Sequence, residues 1–190
     1  LVIADVSGKG MAAAFFMAVT RTLLRGTAQA GASLAECVAH VNRTLCRENP
    51  IDMFVTALYA ELDESSGAVN LVNAGHCEPI VTAPNGTARL IRRSGNPPLG
   101  VIEDRVFAEH GFTLLPGEML FLYTDGITEA SNRAGEFFRI QRLMDIAQRF
   151  ADRPPHDLML AVTDSVDRFS VGTLQADDIT CLVVRRNLPA

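Results

Sequence analysis

Hydrophobic periodicity in this chain falls into blocks, and the order of the blocks limits the folds open to it. Residues 1–4 are an apolar, partly β-branched run, the pattern of a buried strand. Ser7-Gly8-Lys9-Gly10 is a turn. Residues 11–30 are rich in Ala, Met and Leu and predict a mostly buried helix that Gly31 can close. Ser33 with Glu36 three residues on reads as a capping box, and Leu34, Cys37, Val38, Val41 and Leu45 follow at helical spacing until Asn49-Pro50. The period then changes. Segments 54–62 and 69–73 read as strands joined by the polar turn Asp63-Glu64-Ser65-Ser66-Gly67. Segments 79–83 and 88–92 flank Asn85-Gly86, a hairpin signal. A strand is predicted over 105–110 and a strand buried on both faces over 119–123. Two helical patterns follow. One carries Ile140, Leu143, Met144, Ala147 and Phe150. The other starts near Pro155 with Asp157 in its first turn and buries Leu158, Ala161, Val162, Val166 and Phe169. A strand over 179–184 closes the chain. Strands in long runs with helices grouped apart predict an α+β fold with mostly antiparallel sheets.

Three aspartates lie at the ends of the apolar runs. They are Asp5 in Ile3-Ala4-Asp5-Val6-Ser7-Gly8, Asp125 in Leu122-Tyr123-Thr124-Asp125-Gly126, and Asp177 in Ala176-Asp177-Asp178-Ile179-Thr180. Each alone has a plainer reading: Asp125-Gly126 as a turn, Asp177-Asp178 as a solvated strand start, Asp5 as a helix cap. Their shared setting points elsewhere, because adjacent strands can bring all three to one rim of a sheet. Carboxylates gathered there repel one another, and some must take up protons unless a cation is present. An oxygen-only ligand set favours magnesium or manganese. Two such ions about 3.5–4 Å apart are able to clamp a phosphoryl group.

Bulk properties narrow the alternatives. The 190 residues are 48% hydrophobic, enough for one core, and no repeat, low-complexity stretch or linker divides them, so we expect a single domain over 1–190. The net charge of -5 argues against non-specific nucleic-acid binding. The longest apolar run, 11–19, falls short of the roughly 18 residues a membrane span needs. Cys37, Cys46, Cys77 and Cys181 show no CxxC pair, so zinc is not expected and a reduced, cytoplasmic setting fits. Opening on what reads as the middle of a strand, the chain is expected to be a C-terminal fragment of a longer protein, with its first strand or strands truncated.

The ordered motifs carry a resemblance. Asp5-Val6-Ser7-Gly8-Lys9-Gly10-Met11-Ala12-Ala13 resembles the DVSGKG segment of bacterial metal-dependent protein phosphatases of the PPM, or type 2C-like, family, in the branch of sigma-factor and sporulation regulators. Met53-Phe54-Val55-Thr56-Ala57, Asn73-Ala74-Gly75-His76, Asn96-Pro97-Pro98-Leu99-Gly100, Tyr123-Thr124-Asp125-Gly126-Ile127-Thr128-Glu129-Ala130 and Asp177-Asp178-Ile179-Thr180 match that branch in the same order.

The resemblance implies a central β-sandwich of two antiparallel sheets flanked by helices, in α-β-β-α layers. It implies hydrolysis of phosphoserine or phosphothreonine by metal-activated water, with two Mn or Mg ions and no phosphoenzyme. Asp5 would bridge the ions, the Val6 carbonyl would bind one, and Asp125 and Asp177 would complete the other. Asp178 stands where the wider family often has Asn and is given a supporting role beside the ligands. Gly8 and Gly10 allow the sharp turn after Asp5, Gly126 accompanies Asp125, and Lys9 is a candidate phosphate contact. The implied substrate is a phosphorylated anti-sigma-factor antagonist of the STAS type. Upstream sensory or receiver domains, and homodimers, occur in this branch. The family's further acidic motif, upstream of the DVSGKG segment, is not in this sequence. That departure motivates the rival reading, a weak or inactive phosphatase-like module that binds a phosphoprotein or partner. His76 is read as a structural histidine bonded to loop backbone. Arg89, Arg92 and Arg93 are read as a wet face, and Thr128-Glu129 as shaping the turn after Asp125.

Overall fold

The computed structural model describes residues 1–28, 32–48, 53–92 and 95–187. In chain order the elements are β1 (Val2–Val6), α1 (Met11–Ala28), α2 (Leu34–Arg47), β2 (Val55–Leu62), β3 (Ala68–Ala74), β4 (Ile80–Thr82), β5 (Ala88–Leu90), β6 (His110–Thr113), β7 (Met119–Tyr123), α3 (Asp125–Thr128), α4 (Arg139–Arg149), α5 (Pro155–Phe169) and β8 (Cys181–Arg185). They make two four-stranded sheets with helices, the α+β class expected, and the chain divides into two compact units.

The first unit is Leu1–His76 with Arg93–Phe112. Its sheet has the order β1-β2-β3-β6. β1 pairs antiparallel with β2, placing Asp5 opposite Thr56 and Val6 opposite Val55, and β2 pairs antiparallel with β3. α2 forms for the reason its sequence gives. Ser33 Oγ accepts from the Glu36 N–H, the Glu36 carboxylate accepts from the Ser33 N–H at 2.9 Å, and Leu34, Cys37, Val38, Val41 and Leu45 are all buried. They pack with Val55, Val72, Leu99 and Phe107 into one core. In the turn after β2, Asp63 Oδ1 accepts from the Ser65 and Ser66 N–H groups and the Ser65 hydroxyl. Those donors hold its carboxyl down at about 2.

The second unit is Cys77–Arg92 with Thr113–Ala190. Its sheet has the order β5-β4-β7-β8, with every neighbouring pair antiparallel. β7 is buried at all five residues, as its uninterrupted apolar run requires. Phe121 and Tyr123 from β7 pack with Leu143 and Ala147 of α4 and Leu158, Val162 and Val166 of α5.

The strand boundaries depart from expectation where side chains compete for the backbone. β1 continues to Val6, so Asp5 lies inside a strand and not beyond its end. The strand expected at 105–110 begins only at His110. Asn96 consumes both backbone groups of Ala108: its Oδ1 accepts from the Ala108 N–H and its Nδ2 donates to the Ala108 carbonyl, each at 2.9 Å. That residue therefore has nothing left for a ladder. β8 starts at Cys181 because the Thr180 backbone bonds to Thr124. The expected helix stops at Gly31 and Asn49-Pro50 lie outside the described residues. No helix among the described residues is long and apolar enough to cross a membrane.

Candidate metal centre

In the first unit, Asp5 is half-buried in β1, and the two residues after it are tied to β2. The Ser7 N–H donates to the Phe54 carbonyl at 2.9 Å, and the Phe54 N–H donates to Ser7 Oγ at 2.8 Å. The chain then turns through Gly8 and Gly10, both with positive φ (84° and 87°), and α1 starts at Met11. Lys9, between the two glycines, is exposed.

In the second unit, the backbone leaves β7 at Thr124 and Asp125 opens the one-turn helix α3, where the sequence suggested only a turn. The Thr128 hydroxyl and the Glu129 N–H both donate to the Asp125 carbonyl, which closes that turn as expected of this dipeptide. Asp125 and Asp177 come together: each offers a carboxylate oxygen within 4.8 Å of the other's. Two local features create this proximity. Thr124 is fully buried, and its hydroxyl donates to the Asp178 carbonyl at 2.8 Å while accepting from the Thr180 N–H at 3.0 Å. Gly126 lies so close to the incoming strand that a Cβ there would sit 2.3 Å from the Asp178 carbonyl oxygen. Only glycine lets the two segments approach this closely. Asp177 Oδ1 also accepts from the Asp178 N–H at 2.9 Å, which fixes its carboxylate orientation.

Electrostatics mark Asp125. Its Oδ1 is buried and has no hydrogen-bond partner among the described residues. A buried, unsatisfied carboxylate oxygen carries a large desolvation cost, and a second carboxylate nearby adds repulsion. A divalent cation offsets both, and a pure oxygen donor set suits magnesium or manganese. The residues present therefore fit the ion that the sequence implied.

Thr124 was invisible to sequence reasoning as a functional residue, although a hydroxyl between a buried strand and a candidate ligand was the available signal. Asp178 presents its backbone to Thr124 and Gly126. His76 differs from its expected loop-backbone bonding. Its Nδ1 lies 2.8 Å from Thr56 Oγ1, and its backbone N–H donates to Asn73 Oδ1 at 2.7 Å. Of the three arginines, Arg89 approaches the buried carboxylate of Glu118 at 3.7 Å, and Arg93 lies outside the described residues.

Comparison with known proteins gives a consistent picture. The family model "Stage II sporulation protein E (SpoIIE)" matches residues 1–187. Protein IcfG of Synechocystis is 29% identical over 98% of this chain and 33% of its own length. Phosphoserine phosphatase RsbP of Bacillus subtilis is 24% identical over 97% of the chain and 45% of its own length. The chain thus spans between a third and a half of these relatives. The solved structure of the RsbU and RsbW domains of a Mycobacterium tuberculosis protein superposes with a TM-score of 0.86 at 30% identity, over all of this chain and 52% of that one.

Proposed function

Because the chain belongs to the SpoIIE family of PP2C-type protein serine phosphatase domains, we propose that it hydrolyses phosphoserine or phosphothreonine on a regulatory protein, with magnesium or manganese held by Asp5, Asp125 and Asp177. The substrate class that fits the relationship is a phosphorylated STAS-type anti-sigma-factor antagonist. The match across 1–187 supports reading residues 1–190 as one phosphatase domain. The observation that carries the proposal is the buried, unpartnered Asp125 Oδ1 with an Asp177 carboxylate oxygen within 4.8 Å.

Asp125 and Asp177 supply two of the donor groups, and Asp5 with the Val6 carbonyl supplies the others. Divalent ions, when bound, lower the pKa of water and neutralise charge developing on phosphoryl oxygens. Gly126 and Thr124 hold the two second-unit carboxylates at their spacing, so the donors are preorganised before any ion arrives. Lys9 and the N-terminus of the 18-residue α1 carry positive charge next to the Asp5 segment, suited to drawing in a phosphorylated side chain. None of the four cysteines is required as a nucleophile.

The test is hydrolysis of p-nitrophenyl phosphate and of a phosphoserine STAS protein, with manganese and with excess chelator. We expect turnover with manganese only, lost in Asp125→Asn while the thermal melt is retained. Turnover that persists in chelator, or in Asp125→Asn, overturns the assignment. Manganese binding without any turnover would favour the rival reading of a phosphatase-like binding module.

A further inference from the structure

We infer that His76 and Thr56 form a positioning pair that sets the peptide joining Asp5 to Val6; this rests on the metal-site reading of Asp5. The β1–β2 register puts Thr56 directly opposite Asp5. Directly paired residues in an antiparallel ladder project from the same face, so the Thr56 side chain borders that of Asp5. Thr56 Oγ1 donates to the Asp5 carbonyl at 3.5 Å, a long bond that does not by itself fix the hydroxyl. The stronger tie is to His76 Nδ1, at 2.8 Å. A hydroxyl has a single proton. Given to the Asp5 carbonyl, it leaves the Thr56 oxygen to accept from Nδ1–H.

The backbone that carries the imidazole is itself held from behind. His76 is 2% exposed, and its backbone N–H donates to Asn73 Oδ1, with Asn73 at 1% exposure. A bridge between Gly75 and Ala57 lays this segment against β2 beside Thr56. The chain Asn73–His76–Thr56 therefore ends on the one peptide unit that links the Asp5 carboxylate to the Val6 carbonyl donor. Ser7 anchors the far side of that pair to Phe54, so the donor segment is fastened on one flank to β2 and on the other to the residue just before it. A histidine that only filled space in the core has no need of a polar partner at this one register position.

The test compares Thr56→Val, which keeps the shape and loses the hydroxyl, with Thr56→Ser, which keeps the hydroxyl. His76→Phe and His76→Asn form the matching pair, since Asn retains a polar group near the Nδ1 position. Manganese affinity is measured directly by electron paramagnetic resonance, without turnover, and melts are recorded in chelator. We expect Thr56→Val and His76→Phe to weaken manganese binding about tenfold or more, in the range that supporting partners of metal ligands command. Thr56→Ser and His76→Asn should stay within about threefold of wild type by the same measure. If His76→Phe does not fold, the threonine pair carries the test. Wild-type affinity in Thr56→Val, alongside loss of binding in Asp125→Ala, overturns this inference and leaves the proposed function standing. A wild-type chain that binds no manganese overturns both.

Discussion

The two units of this molecule solve the same structural problem with different physics. Each has a four-stranded sheet, a pair of long helices and its own core. Each also fixes the backbone around a candidate ligand carboxylate. The first unit does it with hydrogen bonds: Asp5 sits in a strand whose neighbours are tied to β2 through Ser7, Phe54 and Thr56, and the glycines after it have open space around them. The second unit does it by contact: Gly126 has no room for one added carbon, and Thr124 locks the facing backbone. A hydrogen-bonded support tolerates conservative replacement, whereas a steric one does not. The units differ in finish as well. α1 leaves Met11 and Phe15 83% and 71% exposed, while β7 is buried throughout.

The largest effect expected is in the second unit. Asp125→Ala should reduce phosphatase activity to background while the circular dichroism spectrum is unchanged, because the residue opens a one-turn helix and does not support a core. Gly126→Ala comes next. The new methyl collides with the Asp178 backbone, so we expect about 3 kcal/mol of lost stability in urea unfolding together with loss of manganese binding. Thr124→Val should cost about 2 kcal/mol, since it removes two part-buried hydrogen bonds, to the Asp178 carbonyl and from the Thr180 N–H. The first-unit counterpart is milder. Gly8→Ala meets no atom within 4 Å and suffers only its positive φ, so about 1 kcal/mol is expected. A Gly8→Ala loss equal to that of Gly126→Ala would erase the contrast between the two supports.

The smallest effect lies in the Asp63 turn. Its carboxyl is held at about 2, below the ordinary value of 3.8, by bonds from Ser65 and Ser66. A depressed carboxyl contributes stability above its unfolded pKa and loses it as pH falls through the folded one. The stability difference between wild type and Asp63→Asn should therefore be flat at neutral pH and shrink as acid titration runs from 3.8 towards about 2. A difference that grows on acidification would contradict the assignment.

The element order and most strands were legible because they rest on local pattern: Ser33 with Glu36, the buried run 119–123, the turn at 63–67. The three aspartates drew notice for a similar local reason, each lying at or beside the end of an apolar run. What escaped was long-range. Asn96 takes Ala108 out of the sheet from twelve residues away, and Thr124 reaches Asp178 and Thr180 across more than fifty. Neither exchange leaves a mark on the periodicity around it. Gly126 was noticed as a turn residue, but the reason for its smallness, a backbone lying against it, exists only in the fold.

The proposal on which the rest depends is that Asp5, Asp125 and Asp177 bind divalent cations. Manganese titration of wild type and of Asp5→Ala, Asp125→Ala and Asp177→Ala, followed by electron paramagnetic resonance, tests it most directly. Saturable binding is expected in wild type, with its loss in each of the three folded variants. Undiminished binding in any one of them would show that its carboxylate is not a ligand, and undiminished binding in all three would refute the metal site altogether.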